Sequence, residues 1–166
     1  RSYLAYKHAP ATLIDVLQSG RNHGDLEFIV YEGTRYSYND FYRAVDALGA
    51  YLQITMGVNK GDRVALAMRN NPEWAITYVA ASLIGAIVVP INSWGKSEEL
   101  MYALTDSKAS VLVCDPPRFQ LIADELGNSE VKTIVAGGAS AAGILDFDAC
   151  VAAGKDLECQ VAEADP

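Results

Sequence analysis

The chain has 166 residues, 51% of them hydrophobic and 20% charged, a balance that suits one globular domain burying about 70% of the surface its unfolded form would expose. Its net charge is −8 at pH 7, with most of the excess acid beyond residue 100, so there is no basic stripe of the kind that draws nucleic acid or an anionic membrane surface. No apolar run approaches the roughly 18 residues of a membrane span.

The chain opens on Arg1-Ser2-Tyr3-Leu4, with no apolar core of a leader peptide and no initiator Met, which reads as a trimmed end. A first helix is predicted over residues 11–19, with Thr12 as its cap and Leu13, Val16 and Leu17 on one face. Phe28-Ile29-Val30-Tyr31 and Thr34-Arg35-Tyr36-Ser37 flank Glu32-Gly33, two β-prone runs around a glycine turn, hence a hairpin. Ser37 starts the next helix. Its hydroxyl can accept an N-terminal N–H, and Asp40 completes an S-x-x-D capping box, while Phe41, Val45, Leu48 and Leu52 form the apolar stripe.

Lys60-Gly61-Asp62 marks a turn, and Arg63 to Met68 reads as a strand without strict alternation, the pattern of a strand covered on both faces. Asn71 and Pro72 supply a cap and a first-turn proline; Ile76, Val79, Ala80 and Leu83 make the stripe, and Gly85 stops the helix before the apolar strand Ala86 to Pro90. The cycle repeats with Ser97 as cap, Glu98 and Glu99 in the first turn, and strand Ser110 to Cys114. It repeats again from Asp115-Pro116, through Phe119, Ile122, Ala123 and Leu126, to Gly127 and a strand from Val131 to Val135. Strands alternating with helices of this length imply parallel pairing and right-handed crossovers: an α/β fold with a doubly wound, mostly parallel sheet and an N-terminal β-hairpin. The expected organisation is core βα units over 25–136, a flexible Gly/Ala loop over 137–143, and a weakly structured tail over 144–166 in which Leu145, Phe147 and Val151 offer one more short helix.

The chemistry-bearing patterns are mostly missing. Open α/β sheets bind ligands at the carboxyl ends of their strands, yet there is no G-x-x-x-x-G-K-[ST], no G-x-G-x-x-G and no G-x-S-x-G. The glycines from Gly137 to Gly143 have no lysine to meet a phosphate. His8 and His23 are the only histidines and lie far from Cys114, Cys150 and Cys159, which form no C-x-x-C pair, so neither a zinc site nor a disulfide framework is assigned and a reducing, cytoplasmic setting follows. Glu98 and Glu99 are adjacent and so splay about 100 degrees apart on a helix, an ordinary dipole effect rather than an acid–base pair. Cys114 reads as an inert buried strand residue. Trp74 reads as half buried, and Trp94, just past a strand end, is a candidate pocket-lining residue.

The order of the motifs carries a resemblance. Tyr36-Ser37-Tyr38-Asn39-Asp40-Phe41, Gly57-Val58-Asn59-Lys60-Gly61-Asp62-Arg63-Val64-Ala65, Asn70-Asn71-Pro72-Glu73-Trp74, Ser82 to Asn92, and Ser97-Glu98-Glu99-Leu100 with Asp106-Ser107 and Val111-Leu112-Val113 follow one another between Tyr31 and Cys114. Together they resemble the N-terminal part of AMP-forming acyl-CoA synthetases in the adenylate-forming, AMP-binding superfamily. The resemblance implies a ligase that activates a carboxylate with ATP and Mg²⁺ to an acyl-adenylate, releases pyrophosphate, and passes the acyl group to coenzyme A. Asn92 favours the acyl-CoA branch, and fatty acids are the default substrate class. A departure follows: the family's "P-R-L" after this Asn is replaced by Ser93-Trp94-Gly95-Lys96, which puts a contact to coenzyme A phosphates in doubt.

The family's phosphate loop, magnesium-binding acids and mobile-domain lysine have no counterpart here, so no catalytic, cofactor-binding or metal residue is assigned. The expectation is a fragment of a longer enzyme, inactive alone and binding no cofactor, with apolar surface open to self-association. The alternative is a stand-alone, non-catalytic α/β binding module on the same scaffold.

Overall fold

A computed structural model of the chain describes residues 6–127, 129–138 and 143–163. The N-terminal quartet Arg1 to Leu4, residues 139–142 of the Gly/Ala loop and the last three residues lie outside that range.

Helix α1 (Leu13–Ser19) is capped by Thr12 in a box with Asp15 and runs into a 3₁₀ turn, Gly20–His23. Strands β1 (Glu27–Tyr31) and β2 (Thr34–Ser37) form the expected antiparallel hairpin. Its two-residue turn places Glu32 at φ 47° and Gly33 at φ 84°, the paired left-handed conformation that matches strand twist. Helix α2 (Tyr38–Ala50) begins with the Ser37/Asp40 capping box and continues as a π-helical turn, Tyr51–Thr55. Its stripe of Phe41, Val45, Leu48 and Leu52 is buried as the spacing required.

The main sheet has five parallel strands in the order β4-β3-β5-β6-β7. They are β3 (Arg63–Ala67), β4 (Ile87–Pro90), β5 (Val111–Cys114), β6 (Lys132–Val135) and β7 (Leu145–Asp146). The connecting helices are α3 (Pro72–Leu83), α4 (Ser97–Ser107) and α5 (Pro116–Leu126), and α6 (Phe147–Gly154) follows β7. The sheet is covered on both faces. Val64, Leu66, Val111, Val113 and Ile134 pack with α2, α3 and α6; the alternate residues Ala65, Ala67, Leu112, Cys114 and Val135 pack with α4 and α5. Since successive strand side chains point to opposite faces, a strand buried on both must be apolar, and β5 is so throughout and β3 from Val64 onward, only its first residue, Arg63, being charged and half-buried. Fully burying each Leu, Ile or Val of these layers contributes about 1.5–3 kcal/mol relative to leaving it exposed.

One cap differs from the sequence expectation, and two further features emerge with the tertiary structure. Ser97 is the first residue of α4 rather than its cap: the backbone turns at Lys96, whose N–H donates to the Glu99 carboxylate at 2.9 Å. Strand β4, as apolar as its neighbours, is the edge of the sheet, and Ile87 is 54% exposed.

The segment beyond 144, expected to be weakly structured apart from one short helix bearing Phe147 and Val151, forms that helix as α6 and in addition contributes β7 to the sheet. Phe147 and Cys150 are buried, and Gly154 meets the Ala47 carbonyl so closely that a Cβ there would lie 2.7 Å from the carbonyl carbon. The close approach of α6 to α2 rests on small residues such as Gly154 and Ala47, which mark no bulky stripe in the sequence. The chain then runs extended along the helical layer, where the Ala162 N–H donates to the Leu83 carbonyl at 2.7 Å and Lys60 Nζ to the Glu163 carbonyl at 2.8 Å.

Candidate functional site

Adjacent strands β3 and β5 send the chain to opposite faces, β3 into α3 on one and β5 into α5 on the other. Their carboxyl ends therefore diverge and leave a crevice, the place where open α/β sheets take ligands. Three loops meet there: Met68 to Asn71 after β3, Ile91 to Lys96 after β4, and Asp115 after β5.

Asp115 ties them together. Residue and element choice are local here, since an Asp before Pro116 is a natural helix cap, and its Oδ1 accepts the Arg118 N–H at 3.1 Å. The tertiary fold adds two contacts. Oδ2 accepts the backbone N–H of Arg69 from the β3 loop at 3.1 Å, and the Arg118 guanidinium pairs with the carboxylate at 3.1 Å, both side chains about nine-tenths buried. Arg118 Nε then donates to the Ser93 carbonyl in the β4 loop at 2.7 Å. In so dry a place the pair is stable only because its hydrogen-bonding groups are partnered, and removing one member of such a pair costs about 3–5 kcal/mol. Both carboxylate oxygens are engaged, so Asp115 is not free to act as a general base.

On the rim of this buried pair, the Arg69 guanidinium lies over the Trp94 indole, 3.2 Å from its centroid. Trp94 is 76% exposed, and its backbone N–H donates to the Asn92 side-chain Oδ1 at 3.1 Å. The stack presents a planar, positively charged surface to whatever lies beyond the crevice. Trp94 is thus a rim residue. The indole that lines grooves is Trp74, shared by one of about 340 Å³ under α1 and the hairpin and one of about 390 Å³ beside Asn70 and Asn71. A groove of about 650 Å³ lies elsewhere, between α2 and α6, with the opposed charges Asp40, Arg43, Asp46 and Lys155 along it; the crevice is the better candidate because topology and a buried ion pair converge on it.

The remaining residues weighed in the sequence fall apart. Cys114 is buried at the end of β5, where desolvation and, secondarily, the Asp115 carboxylate push its thiol up to about 12, the opposite of nucleophile activation. Cys150 and Cys159 are raised by burial as well. Among the described residues no three His, Cys, Asp or Glu gather as metal ligands, and no helix is long and apolar enough to cross a membrane.

Among the described residues the crevice has no phosphate cradle. The one glycine among the described residues of its three loops, Gly95, is backed by Glu99, Leu100 and the Asn92 carbonyl, so those loops present no glycine-rich run of N–H groups. The residues present therefore do not by themselves fit ATP, Mg²⁺ or coenzyme A. Sequence reasoning found the Asp115 cap and the position of Trp94, but missed Arg69 and Arg118, for which one-dimensional spacing offers no signal.

The pattern of the AMP-binding enzyme family matches residues 16–166. Crotonobetaine/carnitine–CoA ligase of Escherichia coli is 38% identical over 94 residues, 55% of this chain and 18% of the relative. A putative long-chain-fatty-acid CoA ligase from Rhodopseudomonas palustris superposes with a TM-score of 0.80 at 27% identity, covering 92% of this chain and 38% of that one. An anthranilate CoA ligase solved with anthranoyl-AMP gives 0.80 at 23% identity, over 91% of this chain and 29% of that one, a likeness of fold. The chain thus spans a fifth to two-fifths of the length of these relatives.

Proposed function

The chain belongs to the AMP-binding enzyme family, and from that premise we propose that it forms the N-terminal βα layer of an ATP-dependent acyl-CoA synthetase. The complete ligase would join a carboxylate to ATP, forming an acyl-adenylate and pyrophosphate, and would then transfer the acyl group to the thiol of coenzyme A, with Mg²⁺ as counter-ion to the phosphates. The observation that carries the proposal is the ordered run of motifs from Tyr31 to Cys114, in a chain whose relatives by sequence and by fold are CoA ligases. A cytoplasmic setting belongs to the same reading and is supported by three free thiols; self-association is supported by the apolar edge at Ile87.

The 166 residues alone do not catalyse this reaction. They contain no lysine-bearing glycine loop, and the one buried carboxylate at the strand ends is spent on structure. What the chain supplies is the scaffold: the switch-point crevice and the Arg69–Trp94 surface facing out of it.

ATP–pyrophosphate exchange tests the reading, with crotonobetaine, carnitine, anthranilate, benzoate and long-chain fatty acids as candidate acids. No exchange is expected from the 166-residue chain, and robust exchange by it overturns the reading of an inactive fragment. A second reading, a stand-alone binding module, is favoured by the complete two-sided core. The coding sequence downstream separates the two: several hundred further residues with a Ser/Thr/Gly-rich loop and lysine support the ligase, and an early stop supports the module.

A further inference from the structure

Five residues of the crevice form a closed circuit. Asp115 holds the backbone N–H of Arg69 at 3.1 Å. The Arg69 guanidinium covers the Trp94 ring at 3.2 Å. Trp94 follows Ser93 in the chain, the Ser93 carbonyl accepts from Arg118 Nε at 2.7 Å, and Arg118 returns to Asp115 through the ion pair. Each half of the exposed stack is therefore tied, through its own backbone or that of its immediate neighbour, to one member of the buried pair.

We propose that Asp115 and Arg118 are positioning residues that hold the Arg69–Trp94 stack as the fixed wall of the crevice. That the wall faces a ligand rests on the ligase reading; the positioning itself does not.

First, an exposed cation–π pair is worth only about 0.5–1 kcal/mol, too little to order two surface side chains and the loop that bears one of them, so its geometry has to be imposed from outside. Second, Arg118 is suited to the task in a way Lys is not. A planar guanidinium offers donors in a fixed fork, so one group can meet the Asp115 carboxylate with Nη1 and the Ser93 carbonyl with Nε. Arg63 does comparable work at the amino end of β3, away from the crevice, bonding the carbonyls of Ser107, Gly61 and Lys108. It is the natural control, because it ties loops without touching the circuit.

The test is the ring-current displacement of the Arg69 side-chain resonances in the isotopically labelled 166-residue chain, assigned through Trp94→Leu, which abolishes it. Arg118→Met, which removes both bonds, is expected to reduce the displacement at least twofold while the strand resonances stay dispersed. Arg118→Lys is expected to fold, keep the ion pair and give an intermediate displacement; this variant decides the matter should Arg118→Met fail to fold. Arg63→Met is expected to leave the displacement unchanged. A wild-type chain without the displacement overturns the proposal, as does full displacement in either Arg118 variant, or an equal loss in folded Arg63→Met. No acid, nucleotide or coenzyme A enters this experiment, so its failure leaves the ligase reading to the exchange assay, and failure of the exchange assay leaves the circuit intact.

Discussion

Gln53 and Gln160 pair in both directions: Gln53 Nε2 donates to the Gln160 carbonyl at 3.2 Å, and Gln53 Oε1 accepts the Gln160 N–H at 3.0 Å. A side-chain amide thus stands in for a neighbouring strand, and it docks the extended segment after α6 onto the π-helical turn at the end of α2. Gln53→Ala is expected to cost about 1–2 kcal/mol, the net worth of two hydrogen bonds, and to speed amide exchange at Gln160. Gln53→Glu keeps the acceptor but loses the donor, and should fall between. Equal exchange at Gln160 in all three chains would show that the other anchors, at Leu83 and Lys60, suffice.

Gly154→Ala probes the α2–α6 contact. The added methyl would press on the Ala47 carbonyl, and since that atom belongs to a helix backbone, it has nowhere to yield. Overpacking of this kind costs about 1–3 kcal/mol. Urea denaturation monitored by circular dichroism should show a lower midpoint with an unchanged slope. A midpoint at or above wild type would mean that α6 is free to move off α2.

Alkaline titration should reveal the buried thiols. Cys114 has its folded value near 12 against an ordinary 9.0. A raised folded pKa means the native state holds the proton longer, so this contribution is complete below pH 9 and is lost as pH climbs toward 12, at about 1.4 kcal/mol per unit in between. Burial raises Cys150, Cys159, Tyr42 and Tyr51 in the same direction, so Cys114→Ala should flatten the alkaline slope without abolishing it. At pH 8 in the folded chain, iodoacetamide should label Cys159, which is partly exposed, ahead of Cys114 and Cys150, which are buried.

The two sides of β3 and β4 should respond differently to substitution. Leu66→Ala empties a fully buried position and should cost about 2–5 kcal/mol. Ile87→Lys changes a half-exposed position on the open edge and should stay within about 0.5 kcal/mol of wild type. Thermal melts of both variants check the contrast; a large loss at Ile87 would mean that the edge is covered in solution, as self-association would do.

Much of this architecture was legible in one dimension because the signals are local. The Ser37/Asp40 box, the Asn71 cap before Pro72 and the Gly85 stop at φ 79° each involve groups within a few residues, and the resulting helices and strands appear where spacing put them. The tail after 144 was poorly legible because its packing depends on what is absent from a side chain, as at Gly154. The crevice was half legible. Asp115 is a visible cap, and Trp94 visibly follows a strand, but Arg69 and Arg118 look like any surface arginines until the loops are brought together.

The sequence by itself determined the kinds of element, their order, the α/β class and the motifs by which the family is recognised, since these depend on propensity, capping and period over short stretches. Only the tertiary structure decided that β4 rather than β3 forms an edge, that β7 joins the sheet and α6 packs on α2, and that Asp115 meets Arg69 and Arg118 meets Ser93. Those are contacts between residues up to 46 positions apart, formed because the strands leaving the crevice turn to opposite faces. No pattern along the chain encodes which distant loops then share the space they leave.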